Sequence, residues 1–312
     1  MTPHLGMGEG AEFDAIRQLL AIWGSNAIGI GDDAAIVDIP AGERLVVSTD
    51  ASVENVHFRR EWLNAEEIGA RATTAALSDL AAMAATPRGL LLALALPDAW
   101  RTDIAELARG VGLVASASGC PIVGGNITRA GELSLTLTVL GSAVRPLERT
   151  GAIVGDDIYV TGRLGGPGAA LRSLLAGETP VPAHRARFVS PAPRLREARW
   201  LAALGAHAAI DISDGLIGDA AHLARASSVS IVLDEDVVPG VADVSLSDAC
   251  VSGEEYELLV AMPHDAQIDI AAFEREFGLP LTRIGSVVLA ARGTVRFAGG
   301  FVPSSRAHDH LE

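Results

Sequence analysis

Four short segments of the chain place aspartate beside small or hydroxyl residues: residues 29–33, 48–50, 77–80 and 211–215. Each segment falls at a predicted strand end, turn or helix. Carboxylate and hydroxyl oxygens are the ligands that Mg²⁺ prefers, and a protein usually shares this ion with a substrate phosphate. The four segments together therefore indicate magnesium-dependent phosphoryl-transfer chemistry.

The bulk composition limits the classes of partner and compartment. A chain of 312 residues with 49% hydrophobic residues can build two domains with real cores. The longest apolar run, residues 90–96, is far too short to span a membrane. A net charge of −15 argues against nucleic acid or an anionic membrane as partner, and it requires a phosphate ligand to arrive with cations. Because no signal segment is recognisable, we expect a cytoplasmic protein.

The two cysteines give no indication of a chemical role. Cys120 and Cys250 stand alone, without the spacing of a metal or redox motif. We expect both to be ordinary buried thiols.

Hydrophobic periodicity predicts alternating helices and strands along the whole chain. The predicted helices cover residues 13–22, 65–84 (closed by Pro87), 102–118, 168–175, 194–204 and 216–226. The predicted strands cover residues 45–48, 89–96, 121–124, 133–144 and 157–161, with others near 231, 258 and 287. A proline-rich stretch covers residues 180–193, and a strand followed by a turn covers residues 208–215. This alternation indicates an α/β or α+β fold. Proline and glycine cluster between residues 144 and 157, which indicates a linker. We therefore predict two domains, 1–146 and 147–312.

Several of the polar residues have a purely structural alternative. Asp33 suits a solvated turn, and the predicted turn at Thr49 and Asp50 suits a helix cap. Asp79 is different, because it interrupts a helix of alanine, leucine and methionine where an unpaired carboxylate is costly to bury. A metal ligand explains Asp79 better than an exposed helix face does.

Five segments, in order and at compatible separations, resemble the thiamine-monophosphate kinase family, a branch of the aminoimidazole ribonucleotide synthetase superfamily. They are GIGDDAAIV (29–37), STDASVENVHF (48–58), ALSDLAAM (76–83), IDISDGLIGD (210–219) and SGEEYELLV (252–260). The resemblance extends from about residue 13 to residue 310. It implies two α/β domains, of which the N-terminal ones pair in a homodimer through a barrel-like sheet near the nucleotide site.

The implied reaction is direct transfer of the γ-phosphoryl group of ATP to the phosphate of thiamine monophosphate, assisted by several Mg²⁺ ions. Such catalysis consists mainly of positioning and charge neutralisation. The resemblance assigns catalytic roles to Asp50, Asp79 and Asp214. It assigns metal binding to Asp33, Ser48, Thr49, Asp50, Asp79, Asn126, Asp211 and Asp214. It assigns ATP binding to Gly125, Asn126, Arg149 and Ser213, and acceptor binding to His57, Glu254 and His308.

Two positions depart from the family pattern. Asn126 stands where the family has a metal-binding aspartate, and an amide oxygen brings no negative charge. His308 stands where the family has an aromatic residue that packs against the acceptor. These changes leave open a weakened activity, an altered metal requirement or another acceptor.

Two other functions remain as alternatives. One is a different ATP-using enzyme of the same superfamily, although the branches that need a reactive cysteine near a terminus are disfavoured by Cys120 and Cys250. The other is a catalytically silent nucleotide-binding subunit, which only Asn126 favours.

Overall fold

The computed structural model describes residues 10–289 and 293–304, so the predicted acceptor contact His308 lies outside the described residues. The chain divides into two compact units. The first comprises the chain up to Leu80 together with Ala85–Arg145, and the second comprises Ala81–Ala84 and the chain from Pro146 onward.

The first unit is a four-stranded sheet with helices on one face. Its helices are α1 (Ala11–Trp23), α2 (Ala65–Ala82) and α3 (Ile104–Ala117), and its strands are β1 (Arg44–Val53), β2 (Thr86–Leu96), β3 (Ile122–Arg129) and β4 (Ser134–Ala143). The strand order is β1-β4-β2-β3, with only the β2–β3 pair parallel. Alternate residues of β4 are buried, as expected for a sheet with one covered face.

The local sequence around residue 64 explains where α2 begins. The Asn64 side chain accepts a hydrogen bond from the Glu67 amide at 2.8 Å, and the Glu67 carboxylate accepts one from the Asn64 amide at 3.0 Å. This reciprocal pair satisfies two amides that the first turn would otherwise leave unpaired. It fixes the start of the helix that carries Asp79.

The second unit is a six-stranded, largely antiparallel sheet with the order β10-β7-β9-β5-β8-β6. Its strands are β5 (Asp157–Thr161), β6 (Ala208–Asp211), β7 (Ser230–Leu233), β8 (Leu258–Met262), β9 (Leu281–Val288) and β10 (Val295–Phe297). Its helices are α4 (Gly166–Leu175), α5 (Pro182–Val189), α6 (Leu195–Ala203), α7 (Leu216–Ser227), α8 (Leu246–Val251) and α9 (Ile270–Phe277). Strand β8 is buried along its whole length, which places the core of this unit around it.

The predicted mixed fold is confirmed, but two local predictions are wrong and the helix α5 was not predicted. The turn predicted at Thr49 and Asp50 is the middle of β1, because ten residues of this strand pair with β4 in continuous register. Pro87 does not close α2, which ends at Ala82, and instead lies in β2. The proline-rich stretch 180–193 contains α5, where Pro182 occupies the first helical turn and its missing amide costs nothing.

Within the described parts of the chain, no helix is both long and apolar enough to cross a bilayer. Cys120 and Cys250 are buried and free, as predicted. Burial raises the pKa of each thiol to about 12, so neither is a reactive thiolate at neutral pH.

Candidate active site

In the first unit, β1 and α2 bring Ser48 and Asp79 into contact. The Ser48 hydroxyl donates a hydrogen bond to the Asp79 carboxylate. Asp50 lies two residues further along β1 and therefore on the same face of the sheet as Ser48. All three side chains are half-buried. Two of the predicted metal ligands, Ser48 and Asp50, thus lie on the helix-covered face of this sheet, and a third, Asp79, reaches Ser48 from α2.

Thr49 and Asn126 lie on the opposite, open face. The Thr49 hydroxyl is 3.0 Å from the Thr138 hydroxyl on β4. The strand register places Asn126 on the same face as Thr49. Asn126 pairs with Ala93, Ala93 with Thr136, and Thr136 with Ala51, which lies two residues after Thr49 in β1. Three strand spacings separate β1 from β3, or roughly 14 Å. One copy of the sheet therefore does not bring Asn126 to Asp50 or Asp79.

Gly125 is explained by the sheet itself. A Cβ atom at this position would lie 2.0 Å from the carbonyl oxygen of Leu92 on the neighbouring strand, so only glycine fits. Beside it lies an apolar cavity of about 70 Å³ whose lining includes Leu20, Trp23, Gly125 and Asn126. Gly125 therefore permits the close packing of β3 against β2.

His57 is held in one tautomer by a turn that follows β1. The Val53 amide donates to His57 Nδ1 at 3.1 Å, and the His57 amide donates to the Val53 carbonyl at 2.9 Å. Because Nδ1 accepts a hydrogen bond, the proton of the neutral ring resides on Nε2. The half-buried imidazole can therefore act as a hydrogen-bond donor through Nε2.

Asp33 and Arg149 are both exposed. Asp33 lies in the irregular segment before β1, where its amide donates to the Asp32 carboxylate at 2.8 Å. Arg149 lies in the turn before β5, where its carbonyl accepts a hydrogen bond from Ser227 at 2.6 Å. The structure thus fixes the backbone at both positions and leaves the side chains exposed.

In the second unit, the predicted metal loop and the predicted acceptor loop run side by side. Asp211 ends β6 and is buried, and the loop continues through Ser213 and Asp214 to α7. The Glu254 amide donates to the Ser213 carbonyl at 2.7 Å. A Cβ atom on Gly253 would lie 2.6 Å from the same carbonyl, so the two backbones meet only because residue 253 is glycine. Asp211, Ser213, Asp214 and Glu254 therefore belong to one local structure.

Asp219, which was not predicted as a functional residue, shapes this loop. It lies in the first turns of α7, and one carboxylate oxygen accepts the amides of Ser213, Asp214 and Gly215 at 3.0, 3.0 and 3.1 Å. These three amides are thus occupied by Asp219 and are not available to donate to a phosphate. Asp219 is the last residue of the family-like segment 210–219, but nothing in the segment indicates that its side chain binds the loop backbone.

The same loop concentrates negative charge. Burial, reinforced by the charges of Asp211 and Asp214, raises the pKa of Asp219 to about 7. The raised pKa of Asp219 thus reflects a repulsion among the three carboxylates. A bound cation would relieve it, so the donor set fits Mg²⁺.

Glu254 lies in a segment with a strained backbone, in which Glu255 and Glu257 are buried. Glu254 and Tyr256 have φ angles of 57° and 52°. Such left-handed conformations cost about 1 kcal/mol or more for a residue with a side chain, and they persist where the surroundings enforce them. Here the enforcement comes from Glu255 and Glu257, whose side chains point into the unit and are buried.

The two buried glutamates share an ion pair with Arg187 and differ in their other partners. Glu255 accepts hydrogen bonds from the Gly165 amide at 2.5 Å and the Ser252 hydroxyl at 2.6 Å, yet burial raises its pKa to about 7. Glu257 accepts from Arg194 at 2.6 and 2.8 Å. Burial acts to raise the pKa of Glu257, but the Arg194 guanidinium outweighs it and holds that pKa below its usual value.

Among the described residues, no group of three or more histidine, cysteine, aspartate or glutamate side chains has the geometry to hold a metal ion unaided. Mg²⁺ does not need such a cage, because it commonly takes one or two carboxylates and completes its shell with water and phosphate oxygens. Ser48, Asp50 and Asp79 in one unit, and Asp211 and Asp214 in the other, suit that mode of binding.

Comparisons with known proteins agree with this layout. The family model described as AIR synthase related protein, N-terminal domain, matches residues 31–143, and the model for the C-terminal domain matches residues 154–298. The thiamine-monophosphate kinase of Rhodopirellula baltica is 37% identical over 283 residues, which cover 84% of each chain.

Two solved structures resemble the whole chain. The crystal structure of thiamine-monophosphate kinase from Stenotrophomonas maltophilia matches with a TM-score of 0.83 and 34% identity, covering 94% of this chain and 98% of that one. The structure described as AaThiL complexed with AMPPCP and TMP matches with a TM-score of 0.75 and 28% identity, covering 97% and 98%.

Proposed function

The chain belongs to the thiamine-monophosphate kinase family of AIR synthase-related proteins, and from this we propose that it transfers the γ-phosphoryl group of ATP to thiamine monophosphate, forming thiamine diphosphate. The structural observation that carries the proposal is the pairing of the Ser213 loop with the Glu254 loop through the 2.7 Å hydrogen bond. It joins predicted metal and nucleotide ligands to a predicted acceptor contact. A relative with a likeness over nearly the full chain is described as a complex with AMPPCP and TMP.

Some of the site residues would bind magnesium, and the others would orient the two substrates. Magnesium would be held by Ser48, Asp50 and Asp79 in one unit and by Asp211 and Asp214 in the other, with Asp33, Thr49 and Asn126 as further family ligands. Bound there, it would screen the negative charge of the two polyanionic substrates and polarise the phosphoryl oxygens.

The remaining residues would orient the two substrates. His57 donates from Nε2 to a phosphate oxygen of the acceptor, and the Glu254 carboxylate faces the cationic part of thiamine. Arg149 can give a nucleotide phosphate a two-pronged hydrogen bond. Ser213 belongs with Arg149, Gly125 and Asn126 to the nucleotide contacts, and His308 to the acceptor contacts.

Acceptor choice is the test of the proposal. Purified protein is incubated with ATP, Mg²⁺ and either thiamine monophosphate or formylglycinamidine ribonucleotide, and ADP and thiamine diphosphate are quantified. We expect stoichiometric ADP and thiamine diphosphate with the first acceptor and no ADP above background with the second. A protein that binds ATP but forms no thiamine diphosphate would exclude the proposal, and turnover of the ribonucleotide would favour another branch of the superfamily.

We also propose the homodimer that the family resemblance implies, and the open face of the first unit supports it. Leu45 and Val47 on the edge strand β1 point to that face and are 52% and 55% exposed. A second copy covering this face would bury both side chains and would also cover Thr49 and Asn126, which share the face.

Val47→Lys should make the protein monomeric in sedimentation velocity, whereas Leu113→Lys, at an exposed position of α3, should leave a dimer. A Val47→Lys protein that stays dimeric would place the interface elsewhere. The cytoplasmic location stays a prediction.

Asn126 supplies a test of the metal assignment. Asn126→Asp restores the carboxylate of the family, and the added charge should lower the Mg²⁺ concentration at half-maximal rate by about threefold to tenfold, equivalent to ~1 kcal/mol. Thr128→Asp, two residues along the same face of β3, adds the same charge as a control. An equal effect of both substitutions, or no effect of the first, would mean that Asn126 is not a ligand.

A further inference from the structure

Asp219 has no role in the chemistry described above, yet its position is unusual. Its side chain is 2% exposed and lies one helical turn beyond the loop that it contacts. A single carboxylate oxygen accepts three consecutive backbone amides, those of Ser213, Asp214 and Gly215. Three donors converge on one atom only if the backbone of all three residues is fixed.

The consequence for the loop is geometric. Once the amides of Ser213 and Asp214 point at Asp219, the directions of their side chains follow from the backbone. The loop is fixed on its other side by the Glu254 amide on the Ser213 carbonyl and the Tyr256 amide on the Ile212 carbonyl, at 2.7 and 2.9 Å. The carbonyls are thus held by the acceptor loop and the amides by Asp219.

Burying a carboxylate at this position is energetically unfavourable. Asp219 is almost completely buried, where a polar side chain costs free energy, so an apolar residue would serve the packing of α7 better. What the side chain provides is one oxygen placed to accept from three converging amides, which no apolar residue can supply.

We propose that Asp219 is a positioning residue, which holds the Ser213–Gly215 backbone so that the Ser213 hydroxyl and the Asp214 carboxylate face the nucleotide and its magnesium. The proposal rests on the proposed function of Ser213 and Asp214. It also implies that phosphate reaches this loop through those side chains and the bound cation, since the three amides are occupied.

The test compares Asp219→Ala, which removes the acceptor, with Asp219→Asn, which keeps an oxygen of nearly the same position. Calorimetric titration measures the affinity for a non-hydrolysable ATP analogue with Mn²⁺, a readout that does not require turnover. Asp219→Ala should weaken this binding by about tenfold or more, as the loss of a group that orients metal ligands typically does. Asp219→Asn should stay within about threefold of the original protein, since its oxygen can still accept the amides.

Asp156→Ala is the matched control. Asp156 is also 2% exposed in the same unit and accepts the Ile153 amide at 2.9 Å, but it is not part of the proposed site. It should lower the melting temperature without changing the affinity for the analogue. If Asp219→Ala does not fold, Asp219→Glu takes its place, because it keeps the charge and displaces the oxygen by one methylene.

The outcomes separate the two proposals. Weak binding in the alanine or glutamate variant with near-normal binding in Asp219→Asn supports the positioning role. Equal impairment of the alanine and asparagine variants, or equal effects of Asp219→Ala and Asp156→Ala, overturns it. If the original protein binds the analogue but makes no thiamine diphosphate, the proposed reaction is wrong. The analogue affinities of the Asp219 variants still test the positioning role in that case.

Discussion

Asp79→Asn should lower the rate of thiamine diphosphate formation by about 10²–10³-fold or more, a range set by the loss of one preorganised electrostatic group from an active site. The amide oxygen of asparagine can still accept the hydrogen bond from Ser48, so the contact between β1 and α2 survives. Only the negative charge is removed. Because the role assigned to Asp79 is to hold a cation beside two polyanions, losing the charge should affect catalysis far more than folding.

The measurement is kcat at saturating ATP and Mg²⁺, with circular dichroism to verify the fold. Asp98→Asn serves as the control, because Asp98 lies in the same unit and is exposed in ion pairs with Arg101 and Arg129. It should keep activity within about twofold, since exposed pairs contribute little. Near-normal activity of Asp79→Asn would remove this residue from the metal site.

Arg194→Met should cause the largest loss of stability, about 3–5 kcal/mol in the free energy of unfolding, the range seen when one partner of a buried ion pair is removed. Glu257 is 0% exposed, and Arg194 neutralises it with two hydrogen bonds, at 2.6 and 2.8 Å. Arg187 and Thr161 would remain as partners, but the closest positive charge would be gone. Methionine preserves most of the side-chain volume, so the loss reports the charge.

Urea denaturation followed by fluorescence measures this change. Arg196→Met is the matched control. Arg196 lies in the first turn of α6, two residues after Arg194, is 66% exposed and pairs with Glu276 at the surface. It should cost less than about 1 kcal/mol. Adding Glu257→Gln to Arg194→Met should recover part of the loss by removing the unpaired charge. Equal effects of the two arginine substitutions would show that the buried charge is not what holds the Glu254 loop.

The regular helices and most strands were predictable because their signals are local. The helix predicted for residues 13–22 is α1, and the strand predicted for residues 157–161 is β5 with the same bounds. Thr49 and Asp50 were misjudged because only pairing with β4, more than eighty residues away, shows that the strand continues. The helix α5 was hidden because its prolines suggested an irregular segment.

The same difference between local and long-range signals decides which parts of the candidate site could be predicted. The residues of the Ser213 loop and Glu254 were identified from family motifs, and the structure brings these two segments together. The sequence gives no register, however, and the register is what places Asn126 across the sheet from Asp50. Asp219 was missed because its function depends on three amides, which any residues at positions 213–215 would supply.

The transfer of phosphate itself can be followed most directly with ATP labelled in its γ-phosphoryl group. Protein in excess over the labelled ATP is mixed with thiamine monophosphate and Mg²⁺, and the products are separated after a single turnover. We expect the label in thiamine diphosphate, and none there when EDTA replaces Mg²⁺. Label found only in inorganic phosphate, or left in ATP although ATP is bound, would contradict a kinase that joins these two substrates.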